Sequence, residues 1–467
     1  MKRHVLIIGA GPAGMNAAIE AYARGCEVTV VDEGARPGGQ IYRQTPAELS
    51  SFNLGLPAER TRKRTLVKQF ESLASCIDYR PFTTAYTVFP GPVAHLANAS
   101  RSDTLRPDSL VIATGVGERT VPFPGWTLPG VIYAGGAQAL MKANAIRPGN
   151  RVVVAGAGPL PIAVAAQLIE AGADVPALVL LHPLWKMVKR PWALWSGRDV
   201  VKEGFSYLRM IKKAKVKCYE GWIPVRARGE TSLENVTIAR HDGTGRARPS
   251  SKQDIICDTL AVNFGFTCHS ELAAMTGIKS TYQPSRGGWI PLADPDGTTS
   301  SPGIFVAGDC AGLRGAWVAS AEGRIAGAAA ANHALGITRR DLSGELSAPF
   351  SERTRHSRFQ EAVQEILHLP DGVWSWPDNN TLVCRCEGVT LGRLRAAFED
   401  GHRSLDAAKR NTRAGMGWCG GRTCLQAVAA LANPGGASDW FPPMRSRPLA
   451  RPIPIGQIGT TPTSEHE

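Results

Sequence analysis

The chain has 467 residues, 43% of them hydrophobic, and 53 Lys and Arg against 40 Asp and Glu, for a net charge of +13. That length suits two or three domains, and no apolar run reaches the roughly 18 residues a membrane span requires. Ten cysteines in a chain of this size read as reduced, metal-bound or buried, which excludes a small disulfide-stapled scaffold. A basic surface can meet nucleic acid, an anionic substrate or an acidic partner. The longest unbroken basic run is Arg62-Lys63-Arg64, and no nucleic-acid motif is present. Two readings of the charge remain: a docking face for a partner protein, or a plainly solvated surface.

The opening Met1-Lys-Arg-His-Val-Leu-Ile-Ile8 superficially resembles a secretory leader. Its apolar stretch runs straight into a glycine motif with no small-residue cleavage site, so it is read as a buried strand of a cytoplasmic protein. Residues 5–8 form a short apolar run of parallel-strand type. Gly9-Ala-Gly-Pro-Ala-Gly14 follows, then a helical stretch to about Arg24. In this pattern Gly9 makes the tight turn, Gly11 lets backbone approach a pyrophosphate, and Gly14 lets the helix pack closely on the strand. Pro12 and Ala13 open the helix whose N-terminus receives phosphate. A second strand, 27–31, ends in Asp32-Glu33, and an acid there can accept hydrogen bonds from an adenosine ribose. Asp32 stands 23 residues after Gly9 and is preferred over Glu33.

Three further motifs follow in order: Arg36-Pro-Gly-Gly-Gln-Ile-Tyr-Arg43, Leu110-Val-Ile-Ala-Thr-Gly115 and Gly303-Ile-Phe-Val-Ala-Gly-Asp309. With the first loop, they make the chain resemble the two-dinucleotide-binding-domain flavoproteins. The resemblance implies that Gly38, Gly39, Gln40, Thr114, Gly115 and Asp309 surround FAD. Asp309 would bond the ribitol chain, the competing role being a helix cap.

A second phosphate loop, Gly156-Ala-Gly-Pro-Leu-Pro161, follows a strand at 151–154 and repeats the first loop 147 residues later. The resemblance implies an inserted NAD(P)-type domain here, with Gly156 and Gly158 at the nucleotide. Pro161 replaces the third small residue. The next strand, 177–181, ends in His182-Pro183, which offers neither an acid for NAD nor an arginine for a 2′-phosphate. The expectation is therefore another adenine nucleotide or a structural remnant, with NAD(P) last. Beyond it, Leu184-Trp-Lys-Met-Val-Lys-Arg-Pro-Trp-Ala-Leu-Trp195 interleaves aromatic and basic residues and reads as a packing surface under a partner or neighbouring domain. No C-x-x-C lies in the second domain and no cysteine pair lies directly after Gly39, which argues against disulfide-reductase chemistry. Cys310 reads as buried packing. No catalytic base is assigned.

Near the C-terminus, Cys384 and Cys386 form C-x-C, and Cys419 and Cys424 form C-x4-C after a gap of 32 residues. Four thiolates can hold a [2Fe–2S] cluster. Zinc prefers C-x2–4-C knuckles, so the tight first pair favours the cluster. Ser404 is placed to cap a short helix at 405–411. A glycine-rich loop runs from Arg413 to Arg422, and an apolar helix opens at Cys424 and stops at Pro434. Lys409, Arg410, Arg413 and Arg422 either ease reduction of an anionic cluster or form a solvated basic face. Residues 382–433 resemble the bacterioferritin-associated ferredoxin-like [2Fe–2S] domain, with Gly420 standing where relatives often carry Gln.

The predicted fold is α/β: two Rossmann-like dinucleotide-binding domains, the second inserted into the first, plus a small, mostly helical C-terminal [2Fe–2S] domain. The predicted boundaries are 1–120 and 285–340 for the FAD domain and 121–284 for the second domain. A linker with one helix at about 355–367 occupies 341–380, the cluster domain 381–434, and a Pro-rich arm 435–467. This order resembles the large, FAD-containing subunit of heteromeric bacterial amine dehydrogenases, the opine oxidase, hydroxyproline dehydrogenase and hydrogen cyanide synthase type. The resemblance implies a smaller, amine-oxidising, FAD-dependent partner, a small ferredoxin-like subunit, and a further flavin shared with the partner. Electrons would pass through FAD and the cluster of this chain. The alternatives are a stand-alone NAD(P)H-dependent reductase and a zinc-binding flavoprotein scaffold.

Overall fold

The structure is a computed structural model that describes residues 2–49, 54–189, 191–337, 341–366, 368–399, 404–432 and 447–458. The expected helix stop at Pro434, the end of the linker helix at Leu367 and most of the arm lie outside the described residues.

The first sheet has five parallel strands in the order Ile304–Val306, Ser109–Ile112, His4–Ile8, Glu27–Val31 and Asp78–Arg80. Val5, Leu6 and Ile7 are fully buried, as a central parallel strand covered on both faces requires. The second sheet also has five parallel strands: Lys217–Glu220, Ala177–Leu180, Val152–Gly156, Thr259–Asn263 and Val131–Tyr133. Both sheets put the phosphate-loop strand at the centre, which makes both Rossmann-like. Their fifth strands come from opposite ends: Ile304–Val306 arrives after the insertion, whereas Val131–Tyr133 precedes the second loop. Each domain adds a three-stranded antiparallel meander, one spanning 84–105 and the other 222–256.

The chain crosses into the second domain on Val116–Glu118 and returns on Phe266–Cys268, and these two strands pair antiparallel. Immediately afterwards, Leu272, Ala273 and Ile278 enter the core around Leu6, Ile8 and Ile304.

The linker is a packed element. Its helix, Ser347–Ile366, begins earlier than the predicted 355 and buries Phe359, Ala362 and Val363. Pro349 lies in the first turn, where a proline's missing N–H costs no hydrogen bond. Val373 and Trp376 then join the core of the second domain, and Trp376 Nε1 donates to Gly245 O at 2.7 Å.

The small C-terminal domain is a two-stranded hairpin, Leu382–Cys384 with Val389–Thr390, and three helices: Leu391–Glu399, Leu405–Thr412 and Leu425–Ala432. Ser404 caps the second of these, its side chain accepting from Ala407 N at 3.1 Å. Val383, Val389, Leu391, Leu394, Ala427 and Val428 make its core. Trp126 Nε1 donates to Leu382 O at 2.7 Å and ties this domain to the second one. Residues 447–458 lie on the first domain. Ala450 is buried in the core beside Leu6, its N–H donates to Tyr86 O at 2.7 Å, and Gln457 reaches Asn98 O. No helix among the described residues is long and apolar enough to cross a membrane.

Candidate flavin and cluster sites

Three backbone segments converge at the N-terminus of helix Pro12–Ala23. Gly9 has φ +106°, and a Cβ there would sit 2.4 Å from Ala113 O. Gly39 has φ +58°, and its Cβ would fall 2.8 Å from Gly11 Cα. Gly38 N–H donates to Ala10 O at 2.8 Å. The first loop, the Gly38-Gly39 turn and the 113–115 segment therefore meet without side chains, leaving a backbone-lined groove at a helix N-terminus, the arrangement that receives a pyrophosphate.

The two candidate ribose acids diverge. Asp32 Oδ2 accepts from Ala10 N and Oδ1 from Gly34 N, both at 2.6 Å, and burial pushes its carboxyl above the usual range. Glu33 turns the other way, onto Arg451 Nε at 3.0 Å. Gln40 is exposed and accepts from Arg43 at 2.6 Å. Thr114 Oγ1 donates to His269 O at 2.6 Å.

Asp309 Oδ1 accepts from Arg314 N at 2.9 Å and Gly315 N at 2.8 Å, so it caps helix Gly315–Ala334, and burial raises its pKa. Glu322, which belongs to none of the sequence motifs, supports this corner. It accepts from Gly308 N at 3.0 Å and is paired with Arg314, and burial pushes its carboxyl up. A carboxylate in the Ala- and Gly-rich stretch 319–331 was the available signal, because unpaired acids rarely lie in buried helix faces.

The second loop differs from the first in backbone as well as sequence. Gly11 precedes the first helix in an extended conformation, with φ −74° and ψ −175°. At the second loop Gly158 is left-handed, with φ +85°, Pro159 is helical, and the helix proper is Leu160–Glu170. Pro159 stands where the first loop has Pro12, so the second loop differs by Pro161, which removes one further N–H donor from a helix start whose free amides would otherwise face phosphate. At the ribose position, His182 is 5% exposed, and its Nε2 lies 2.7 Å from the carbonyl of His368 in the linker. Burial pushes His182 down to about 4. Glu118 and Asn263 meet beside the second loop, where Asn263 O accepts from Ala157 N at 2.8 Å and Asn263 Nδ2 donates to Glu118 Oε1 at 2.7 Å, and burial raises the Glu118 carboxyl.

Of the four C-terminal thiols, Cys384, Cys419 and Cys424 are buried and Cys386 is half-buried. They associate in two pairs, Cys384 with Cys424 and Cys386 with Cys419. Among the described residues no group of three metal-ligating side chains is drawn to a single point. A two-iron rhomb takes two thiolates at each iron. The donor set fits the cluster. The Cys424 hydrogen bond, with the amides of Gly415, Glu387 and Cys386, brings the Cys384 thiol down to about 6, while its bond to Cys384 holds the Cys424 thiol far up. The amides of Gly421 and Thr423 face Cys419.

The two sites are joined by packed residues. Cys268 Sγ contacts Asp309 O at 3.0 Å and Arg286 O at 3.2 Å. Arg286 ends the turn that joins strands Ser280–Gln283 and Gly288–Pro291. Tyr282 of that hairpin bonds Gln426, two residues beyond Cys424. From the other side, Arg422, between the third and fourth thiols, donates to Ala450 O.

Residues 3–332 match the pyridine nucleotide-disulphide oxidoreductase family, and residues 382–433 match the BFD-like [2Fe-2S] binding domain. The chain is 33% identical to the hydrogen cyanide synthase subunit HcnB of Pseudomonas aeruginosa over 91% of both chains. It is 32% identical to an opine oxidase subunit of Agrobacterium tumefaciens, over 91% of this chain and 85% of that one. In fold it is similar to L-proline dehydrogenase from P. horikoshii, with a TM-score of 0.68 at 18% identity, over 98% of this chain and 80% of that one. The chain belongs to the pyridine nucleotide-disulphide oxidoreductase family, as a flavin-dependent oxidoreductase with FAD and a C-terminal [2Fe–2S] domain that is similar over most of its length to the hydrogen cyanide synthase and opine oxidase subunits.

Proposed function

We propose that this chain is the electron-transfer subunit of a heteromeric dehydrogenase or oxidase. A smaller FAD-dependent partner oxidises a secondary amine or amino acid, such as an opine or hydroxyproline, to the imine. That step releases two electrons and two protons, and the electrons pass through FAD and the [2Fe–2S] cluster of this chain. Gly9, Gly11, Pro12, Ala13, Gly14, Asp32, Gly38, Gly39, Gln40, Thr114, Gly115 and Asp309 hold the FAD, and Glu33 stands at its edge. Cys384, Cys386, Cys419 and Cys424 hold the cluster. The observation that carries this reading is the contact path from Asp309 through Cys268, Arg286 and Tyr282 to Gln426, which packs the flavin corner against the helix that follows Cys424.

The second loop, with Gly156 and Gly158, holds an adenine nucleotide other than NAD(P) or is a remnant. Pro161 and the covered His182 support that choice. A further flavin shared with the partner, a small ferredoxin-like subunit and a cytoplasmic location complete the proposal. The test is amine oxidation by the purified chain alone and by the chain coexpressed with its partner. Activity only in the second case is the expected result, and robust turnover by the single chain overturns it. Rapid flavin bleaching by NADH or NADPH would install the stand-alone reductase instead, and stoichiometric zinc without acid-labile sulfide the scaffold.

A further inference from the structure

Met416 and Trp418 are 43% and 76% exposed, in a domain whose other large apolar side chains are buried or half-buried among the described residues. Gly417, between them, lies directly against a cluster ligand: a Cβ there would be 2.4 Å from Cys386 Cβ. Trp418 is bonded to Cys419. Cys386 is the least buried of the four thiols. The apolar pair therefore sits where the protein layer over the cluster ligands is thinnest. Three exposed arginines lie close by in the chain: Arg413 accepts from Met416 N through its carbonyl, Arg385 precedes Cys386, and Arg410 stands one turn before Arg413 on helix Leu405–Thr412. Glu387, the acid against Gly417, pairs with Arg413 Nε at 2.8 Å, so that pair adds no net charge and the positive charge of the face comes from Arg385 and Arg410. An exposed Trp and Met within an arginine rim has the composition of an interface centre.

We propose that the Met416–Trp418 face is the docking and electron-exchange surface for an acidic one-electron carrier protein. This rests on the reading of the chain as an electron-transfer subunit. One electron leaves the reduced cluster, one reaches the oxidised carrier, and no bond is made or broken. The occupant is acidic because the rim is basic, on a chain of net charge +13. Such encounters use small interfaces, and opposite charges mainly raise their association rate.

The test uses the full chain, purified anaerobically with its FAD and cluster and reduced with dithionite. Oxidation by an acidic and by a basic c-type cytochrome of similar potential is followed by stopped flow at several ionic strengths, for the native chain and for Trp418→Ala, Trp418→Phe and Arg410→Glu. The expected result is a rate with the acidic carrier that falls steeply with salt and drops about tenfold or more in Trp418→Ala and Arg410→Glu. Trp418→Phe should restore much of it. The low-temperature EPR signal, the cluster potential and oxidation by ferricyanide should be unchanged in all variants. Equal rates for native chain and variants, with the EPR signal intact, overturn the face alone. So does a basic cytochrome that reacts as fast as the acidic one. A native chain with no reduced [2Fe–2S] signal overturns both the face and the electron-transfer reading beneath it.

Discussion

Arg451 closes a 3.0 Å ion pair on Glu33, 418 positions earlier in the chain, and comes within 4.0 Å of Glu271. The neighbouring Ala450 takes a hydrogen bond from Arg422, which lies between the third and fourth thiols. The C-terminal segment thus straps the cluster domain to the flavin domain. Truncation after residue 446 should speed amide exchange in 84–89 and 419–424 while flavin stays bound. Arg451→Ala alone should cost under about 1 kcal/mol, because Glu33 is 54% exposed and exposed pairs are weak. Hydrogen–deuterium exchange with mass spectrometry separates the two.

The same pair distinguishes the candidate ribose acids. Asp32 holds the first loop through the Ala10 amide and its own turn through the Gly34 amide, and Glu33 holds the arm. Asp32→Ala should lose both bonds, cost roughly 1–3 kcal/mol and yield protein largely without flavin. Glu33→Gln should keep a near-native flavin absorbance. Comparable flavin loss in both variants would overturn this division.

Gly39→Ala should strip flavin without touching any polar group. The position is left-handed, and the new Cβ would press on Gly11 Cα, a backbone atom that cannot swing aside. Strain of this kind costs about 1–3 kcal/mol. The visible spectrum and the melting temperature report it together.

Cys419→Ser should remove the [2Fe–2S] EPR signal and leave the flavin absorbance, because the cluster domain has its own hydrophobic core. Iron and acid-labile sulfide should fall together. Retention of stoichiometric iron would mean that three thiolates suffice.

Two buried imidazoles predict acid sensitivity. The His356 ring stacks on Trp317, with centroids 4.9 Å apart and planes 10° from parallel. Arg355 sits 2.9 Å from its Nε2. Burial first, then the Arg355 charge, pushes His356 down to about 4, where burial also puts His182. An unfolded histidine takes a proton near pH 6.5, so the folded state binds fewer protons between about 6.5 and 4. Their stabilising contribution is complete above that window and is lost as pH falls through it, on the order of 1–3 kcal/mol. Urea midpoints measured from pH 7.5 to 4.5 should fall, and His356→Gln should flatten the slope.

Much was legible in the chain, and the reason is local chemistry. Gly9, Gly11 and Gly14 mark a strand–turn–helix whose geometry only small residues permit, and the structure builds it there. Ser404 caps its helix because a serine oxygen can reach an amide three residues on. The four cysteines were identifiable by type and spacing alone. Pairings between residues distant in sequence were not legible. Nothing near Glu33 shows that Arg451 will neutralise it, nothing near His182 shows that the carbonyl of His368 will cover it, and nothing near Asp309 leads to Glu322. The linker helix begins at Ser347 because its apolar face has helix Gly315–Ala334 to bury against, a partner that local periodicity does not display. Sequence by itself determined the loops, caps and thiols, whose conformations depend on neighbours a few residues away. Tertiary structure decided which carboxylate bonds the first loop and which the C-terminal arm, how the second loop is covered and where the cluster domain is strapped, because those contacts rest on burial and charge brought together only when distant segments pack.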